Sequence, residues 1–234
     1  ELSPKILAGI SDMGFEEPSP IQSRAIPFAM QGKDIIGQAQ TGTGKTAAFG
    51  IPILEKLQGL TKYPQALIIA PTRELALQVS EEIAKIGRHK RVKVAAIYGG
   101  QSMDRQIRTL QGGVHVVVGT PGRLLDHLNR GTLKLEQVET VVLDEADEML
   151  DMGFIHDIES ILKKVPTEKQ MLLFSATMID AVRKLAEKYM NTPAFVTVNR
   201  EQMTVPLIEQ IYYETRNKLD SLCRILDAEE TDRI

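Results

Sequence analysis

Asp34-Ile-Ile-Gly-Gln-Ala-Gln-Thr-Gly-Thr-Gly-Lys-Thr46 joins three local textures within 13 residues. Asp34 to Gly37 reads as a short apolar strand, Ala39 to Gly44 as a glycine-bearing loop, and Thr46 to Leu57 as a helix. In that order they make a phosphate cradle. Gly42 and Gly44 let backbone N–H groups turn inward around phosphate oxygens, Lys45 brings a charge to the β and γ phosphates, and Thr46 offers a hydroxyl to Mg²⁺. The helix amino terminus adds its dipole. The strict pattern G-x-x-x-x-G-K-[ST] has glycine where Ala39 stands, so Ala39, Gln40, Thr41, Gly42, Thr43, Gly44, Lys45 and Thr46 form a variant of that loop. A tight turn with a solvated lysine is the plainer account, and the strand before it and helix after it count against that account.

On both sides of this stretch, β-branched runs alternate with amphipathic helical stretches. Ala66 to Ala70, Val92 to Tyr98, Val114 to Gly119, Thr140 to Leu143, Met171 to Phe174 and Phe195 to Val198 are the further strand candidates. Continuous rather than alternating apolar character predicts strands covered on both faces, hence an α/β fold with a mainly parallel central sheet and helices on both faces. Leu75, Val79, Ile83 and Ile86 fall on one helical stripe, and Val182, Leu185, Ala186 and Tyr189 on another; both read as core faces. Near Asn199 the texture becomes polar and proline-bearing, which predicts a domain over 1–199, a linker over 200–207, and a new strand and helix over 208–234.

Composition narrows the function classes. With 234 residues, 43% hydrophobic and 25% charged, the chain is a globular domain rather than a disordered or fibrous one. No apolar run approaches the roughly 18 residues of a membrane helix, and ELSPKILAGI lacks the features of a signal peptide, so the expectation is a cytoplasmic protein with no membrane partner. Cys223, the single cysteine, lies among Leu222, Ile225 and Leu226 at helical spacing and is expected to be packed in a core. His89, His115, His127 and His156 lack ligand spacing and are expected solvated or half-buried. With a net charge of −3, a polyanion must be met by a local patch.

Two further motifs carry chemistry. Val141-Val-Leu-Asp-Glu-Ala-Asp147 is an apolar strand ending in carboxylates: Asp144 suits Mg²⁺ held largely through water, and Glu145 suits orienting and deprotonating an attacking water. An acidic first helical turn is the alternative. Upstream, in the segment 1–30, Gln22 can read the N6 and N7 edge of adenine with its amide while Phe15 offers an apolar surface, selecting ATP over GTP. Taken alone, the same segment is a proline-bounded helix start.

Gly14 to Gln22, Ala39 to Thr46, Pro71-Thr-Arg-Glu74, Gly99-Gly100, Thr120-Pro-Gly-Arg123, Asp144-Glu-Ala-Asp147 and Ser175-Ala-Thr177 occur in the order found in DEAD-box RNA helicases. The chain resembles their amino-terminal RecA-like domain over residues 1 to about 200, in wording nearest the bacterial members. The resemblance implies ATP and Mg²⁺ as cofactors and RNA as partner, with RNA-processing or ribosome-assembly proteins as further partners. It implies that Pro71, Thr72, Arg73, Glu74, Gly99, Gly100, Thr120, Pro121, Gly122 and Arg123 hold one RNA strand by its sugar-phosphate backbone. Thr72 and Thr120 suit helix N-caps and Pro121 a first helical position, so both loops present free N–H groups; capping explains the threonines and proline but not Arg73 and Arg123. The chain has no tryptophan and 5% aromatic residues, in keeping with backbone rather than base reading.

For Ser175 and Thr177, capping of the next helix with Asp180 is a sufficient local account. Coupling of hydrolysis to strand separation, through hydrogen bonds to the Asp147 region, is what the resemblance implies. Ser19 and Ile179 depart from the usual Thr and Pro. The family's upstream aromatic would fall before Glu1 and its later arginines beyond Ile234, so the stretch alone is expected to bind adenine nucleotide, hydrolyse it poorly and unwind nothing. An ATP-gated RNA clamp and another P-loop nucleic-acid ATPase, such as a DNA translocase, are the rival functions.

Overall fold

A computed structural model of the chain describes residues 2–59, 62–198, 214–215 and 217–228. It divides into two units, Glu1–Asn199 and Arg200–Ile234. The first opens with α1 (Pro4–Asp12), α2 (Pro20–Met30), β1 (Ile35–Gln38), α3 (Lys45–Lys56), β2 (Ala66–Ile69) and α4 (Arg73–Ile86). A 3-10 turn (Arg88–Lys90) leads to β3 (Val94–Ile97), α5 (Met103–Gln111), β4 (Val116–Gly119) and α6 (Pro121–Asn129). β5 (Thr140–Leu143), α7 (Ala146–Asp151), α8 (Ile155–Leu162), β6 (Gln170–Ser175), α9 (Asp180–Tyr189) and β7 (Ala194–Thr197) complete it.

The seven strands form one sheet in the order β3-β4-β2-β5-β6-β1-β7, and every pairing is parallel. Parallel neighbours require crossovers, and the helices supply them, so all strands end on one edge of the sheet. β2, β4, β5 and β6 are buried along their whole length, as their continuous apolar runs predict. Leu67, Val117, Val141, Leu143, Met171 and Leu173 pack with Leu124 of α6, Met149 of α7, Ile158 of α8 and Leu185 of α9 on one face. On the other, Phe174 of β6 meets Phe49 of α3 at 5.4 Å between ring centres. Each fully buried aliphatic or aromatic side chain stabilises the fold by about 1.5–3 kcal/mol. Gly37 makes the Phe174 contact available, because a Cβ there would sit 2.5 Å from the Phe174 ring.

Asp34, expected within a strand, instead precedes β1. Its buried carboxylate accepts the Met171 N–H and the Asn191 N–H, each at 2.7 Å, and so clips β1 to β6 and to the turn before β7. His115 and His127 also depart from expectation, being 8% and 0% exposed. In the second unit, α10 (Lys218–Ala228) carries an Asp220–Arg224 ion pair at 3.2 Å. Within that unit Cys223 is exposed rather than packed: of the stripe expected around it, Leu222 is 50% exposed and Ile225 and Leu226 are half-buried. The expected linker 200–207 and the strand Ile208–Glu214, its last residue excepted, fall outside the described residues.

Candidate nucleotide and nucleic-acid site

Apart from the 14–22 segment, which joins α1 to α2, the singled-out loops follow strand ends, so the topology gathers them on the carboxyl edge of the sheet. Gly42 and Gly44 adopt φ of 79° and 86°, in the left-handed region that glycine reaches without strain. Gly44 is doubly constrained, since a Cβ would lie 2.4 Å from Gln22 Nε2. The loop is tied to α2 from above: Ser19 Oγ donates to the Thr43 carbonyl at 2.8 Å and Gln22 Nε2 to the Gly44 carbonyl at 3.1 Å. Gln22 Oε1 accepts the Ser19 N–H at 3.0 Å. Both halves of the Gln22 amide are therefore engaged, and it is 8% exposed. Phe15 lies in the α1–α2 connection, 37% exposed. Ala39 is buried and its N–H donates to the Ser175 carbonyl at 3.0 Å.

Lys45, first residue of α3, points at the end of β5. Its Nζ lies 3.8 Å from Asp144 Oδ1 and 3.6 Å from Glu145 Oε1. All three atoms are buried and lack a hydrogen-bond partner among the described residues. Buried polar atoms are nearly always hydrogen-bonded, and these three are held only by one another's charge, an arrangement that can seat a charged ligand. Burial pushes the Asp144 carboxyl up to about 6, Glu145 adding to the shift and Lys45 opposing it. Glu145 itself holds φ 53°, a left-handed conformation that costs a non-glycine residue about 1–2 kcal/mol. The Glu148 carboxyl is raised by its hydrogen bond to Glu145 and by burial. Burial likewise raises Glu82, against which the Thr46 hydroxyl acts.

These residues fit a phosphate-bound Mg²⁺. No group of three His, Cys, Asp or Glu side chains among the described residues is arranged to hold a metal by itself. Mg²⁺ bound by one carboxylate, one hydroxyl, phosphate oxygens and waters needs no such group.

Around the same edge, three loops brace one another. Thr72 caps α4, its Oγ1 accepting the Leu75 N–H at 3.2 Å, while Pro71 is buried and Glu74 exposed. Arg73 stacks over the Tyr98 ring at 5.1 Å and approaches Gly100, beside Gly99. Thr120 and Pro121 open α6 as expected, Gly122 is exposed, and Arg123 donates to the Gln101 carbonyl at 3.1 Å and to Gln106 Oε1 at 3.2 Å.

Gln106 is the residue that sequence reasoning missed. It is 1% exposed, and its Nε2 donates to the Tyr98 carbonyl and to Gln101 Oε1, each at 3.0 Å. Its Oε1 also accepts from His127 Nε2 at 3.0 Å, and His127 Nδ1 lies 2.8 Å from Thr132 Oγ1. Burial, then the Arg123 charge, lowers the His127 pKa, which favours the neutral ring with Nε2 as donor. A polar residue four positions before Leu110 on the inner face of α5 was the only available signal.

Asp147, Ser175 and Thr177 come together. Asp147 Oδ2 accepts from the Thr177 N–H and hydroxyl, each at 2.8 Å, Ser175 Oγ accepts the Asp147 N–H at 3.3 Å, and the Ser175 hydroxyl donates to the Thr177 carbonyl at 2.7 Å. The expected Thr177–Asp180 cap is absent: α9 starts at Asp180 with Ile179 as N-cap, because the Thr177 hydroxyl is taken by Asp147. Burial pushes the Asp147 carboxyl up, and the Thr177 and Ser175 hydrogen bonds outweigh it, holding the group below the usual range.

A seven-stranded parallel sheet with a glycine loop, a buried lysine–carboxylate cluster and braced arginine loops on one edge defines a P-loop nucleotide-binding domain of RecA-like type. The profile of the DEAD/DEAH box helicase family matches residues 19–185, and the chain belongs to that family. It is 61% identical over 230 residues to the DEAD-box ATP-dependent RNA helicase CshA of Geobacillus kaustophilus (strain HTA426), covering 97% of this chain and 49% of that protein. To the ATP-dependent RNA helicase CshA of Listeria monocytogenes serovar 1/2a it is 56% identical, covering 97% of this chain and 44% of that one. The chain thus spans about half the length of the curated relatives it matches. Among solved structures, a DEAD box protein from the hyperthermophile Methanococcus jannaschii superposes with a TM-score of 0.83 at 45% identity, covering 97% of this chain and 61% of that chain. A hypothetical ATP-dependent RNA helicase from Sulfolobus tokodaii superposes with a TM-score of 0.78 at 40% identity, covering 84% and 57%.

Proposed function

We propose that residues 1–199 are the ATP-binding domain of an ATP-dependent RNA helicase, and that 208–234 begin a second RecA-like domain after a 200–207 linker. The observation that carries this reading is the buried Lys45–Asp144–Glu145 cluster beneath a glycine loop, with one orphaned atom on each side chain. In this role the 39–44 backbone and Lys45 hold the β and γ phosphates, and Thr46 and Asp144 hold Mg²⁺, Asp144 largely through water. Bound there, the ion would draw charge from the phosphates as the bond breaks. Glu145 orients the attacking water and takes its proton. To read adenine, Gln22 exchanges its bonds to Gly44 and Ser19 for the base edge, with Phe15 as the apolar neighbour.

On the same reading, Pro71–Glu74, Gly99–Gly100 and Thr120–Arg123 hold an RNA strand by its backbone. Arg73 and Arg123 each belong to one loop and touch the 98–101 loop, which favours a single continuous groove. Asp147, Ser175 and Thr177 link the end of β5 to the end of β6 and suit transmission between nucleotide and RNA. Hydrolysis and local unwinding of short duplexes then need the second domain, whose arginine is worth about 10³–10⁵ in rate for this class of chemistry. A cytoplasmic setting and RNA-processing or ribosome-assembly partners rest on the family alone.

Calorimetric titration of the chain with ADP and with GDP, both with Mg²⁺, tests the reading. Binding of ADP alone supports it. Equal binding removes the adenine role of Gln22 and Phe15, and binding of neither removes the nucleotide site.

A further inference from the structure

Arg88-His-Lys-Arg-Val-Lys93 puts five basic side chains into six residues of a chain whose net charge is −3. The segment joins α4 to β3 through the 3-10 turn, so it lies on the amino edge of the sheet, opposite the nucleotide site. It borders an open cavity of about 400 Å³ whose wall includes Gln58, Gly59, Lys90, Arg91, Lys93 and His115.

Helix ends account for part of this charge. α3, α4 and α5 all finish on this edge, and cations are favoured at helix carboxyl termini. Lys90 Nζ donates to the Leu54 and Glu55 carbonyls at 2.6 and 3.0 Å, ending α3, and Lys93 Nζ reaches the Gly112 carbonyl at 3.4 Å, ending α5. His89 pairs with Asp12 at 2.7 Å. Arg88 and Arg91 remain: both are exposed, and among the described residues neither makes an ion pair or a side-chain hydrogen bond. Arg91 holds φ 57°, where an uncharged glycine would be unstrained. Mutual repulsion is also visible: burial, then Lys93 and Lys90, lowers the His115 pKa.

We propose that Arg88 and Arg91 form a second RNA-backbone contact, which takes phosphates of the same strand that lies across Gly99 and Gly100. This inference rests on the RNA reading above. β3 joins the two places, with Lys93 before its first residue and Gly99 beyond its last. From Arg91 to Gly99, eight residue steps of at most about 3.3 Å span up to roughly 26 Å. At about 3.4 Å per stacked nucleotide that is up to roughly eight nucleotides. A strand already held at the carboxyl edge reaches the patch at high effective concentration, an advantage that a separate acidic protein lacks.

The test is fluorescence anisotropy of oligouridylate of about eight and about 20 nucleotides with the full chain, titrated between about 50 and 200 mM salt. Two extra phosphate contacts, at about 0.7 each in the slope of log K against log salt, make the longer RNA lose about sevenfold more affinity over that range. In R88Q/R91Q, with thermal unfolding followed alongside, the extra slope disappears while the short RNA binds as before. R88E/R91E reverses the length preference. Equal slopes for both lengths in the unaltered chain, unchanged slopes in R88Q/R91Q, or an equal loss for both lengths would each overturn the proposal. Long RNA bound through Arg88 and Arg91 without any binding of short RNA would keep the patch and remove the RNA role of the carboxyl edge. Displacement of the long RNA by oligoglutamate at equal charge would assign the patch to an acidic protein instead.

Discussion

Asp144 and Asp147 stand three residues apart at the end of β5, and their surroundings push them in opposite directions. Asp144 is 2% exposed, has Lys45 near it at 3.8 Å without a hydrogen bond, and titrates at about 6 because burial outweighs that charge. Asp147 accepts two hydrogen bonds from Thr177 and titrates below its usual range. A carboxyl with a raised pKa contributes stability below its unfolded pKa that is lost as pH rises through about 6. One with a lowered pKa contributes stability above its unfolded pKa that is lost as pH falls through the folded value. The first cluster thus keeps three buried atoms without a hydrogen bond among the described residues while the second is paired within the protein, the difference expected if the first is the proposed ligand seat and the second a joint between strands.

The most severe way to break this contrast is Lys45→Met. It leaves Asp144 and Glu145 facing one another with no cation and removes the proposed donor to phosphate. Charged hydrogen bonds are worth about 1.5–3 kcal/mol, so Mg·ADP affinity should fall roughly 10- to 150-fold by calorimetry. Near-normal affinity would mean that the orphaned atoms do not mark the phosphate seat.

Asp144→Asn sharpens it by reversing the usual sign of a mutation. At pH 7 the ligand-free protein should become more stable by roughly 1–3 kcal/mol, since the burial that pushes the Asp144 carboxyl up to about 6 no longer acts on a charge. In a domain of this size that is about 2–4 °C per kcal/mol in thermal unfolding. The Mg²⁺ dependence of ADP binding should shrink at the same time. In the unaltered chain, Mg·ADP binding should weaken below about pH 6 as Asp144 takes up its proton. A fall in melting temperature in the Asp144→Asn variant would place the Lys45–Asp144 attraction above the burial cost.

The braced loops extend the comparison to the RNA side. Gln106 serves Tyr98, Gln101, Arg123 and His127 at once, so Gln106→Leu strands several buried groups. Unfolding stability should drop by about 1–3 kcal/mol. RNA affinity should drop about tenfold as Arg123 loses its rest, with ADP affinity unchanged, a split that fits positioning rather than general damage. His127→Gln, which retains a donor, should recover part of what His127→Leu loses.

Why some of this was legible in the sequence and some not follows from locality. The parallel sheet, the glycine loop, the Thr72 cap and the Thr120–Pro121 helix start, where the Thr120 side chain makes no capping bond, are set by residues within a few positions of one another, and chain order was enough to read them. Gln106 draws its meaning from partners 5 to 21 residues away, and its place on the Leu110 stripe of α5 is the one local sign that it is not a surface glutamine. Thr177 departs from its expected role for the opposite reason. Its local motif with Asp180 is genuine, but a carboxylate 30 residues upstream takes the hydroxyl. Cys223 shows a third case, where helical spacing identified an apolar stripe but not whether the described unit covers it.

Thr177→Val removes one hydroxyl from the complete cluster and leaves its N–H bond to Asp147 in place. The site is partly open to solvent, so the loss should be about 1 kcal/mol or less in unfolding, shrinking in acid once Asp147 is protonated. ADP affinity should stay within about twofold if the cluster is a joint, since a single such bond remote from the ligand contributes little to binding. A larger effect on ADP than on stability would merge the two clusters into one.

Ser19 belongs to neither side of the contrast, and the smallest effect of all is expected from its Ser19→Thr substitution. Its hydroxyl donates to the Thr43 carbonyl, so it holds the glycine loop without pointing at a buried charge. Ser19→Ala leaves that carbonyl unpaired in a half-buried place where water can reach it, which limits the cost to about 0.5–1.5 kcal/mol and the loss of ADP affinity to about tenfold at most. Ser19→Thr keeps the donor and adds one methyl at a position that is itself half-exposed, so affinity should stay within about twofold. The pair of measurements separates a hydroxyl that shapes the loop from one that binds nucleotide. In the first case the Ser19→Ala variant binds ADP and AMP with proportionate losses, because the adenine side and the phosphate side both depend on the loop's position. In the second, only the nucleotide with more phosphates suffers.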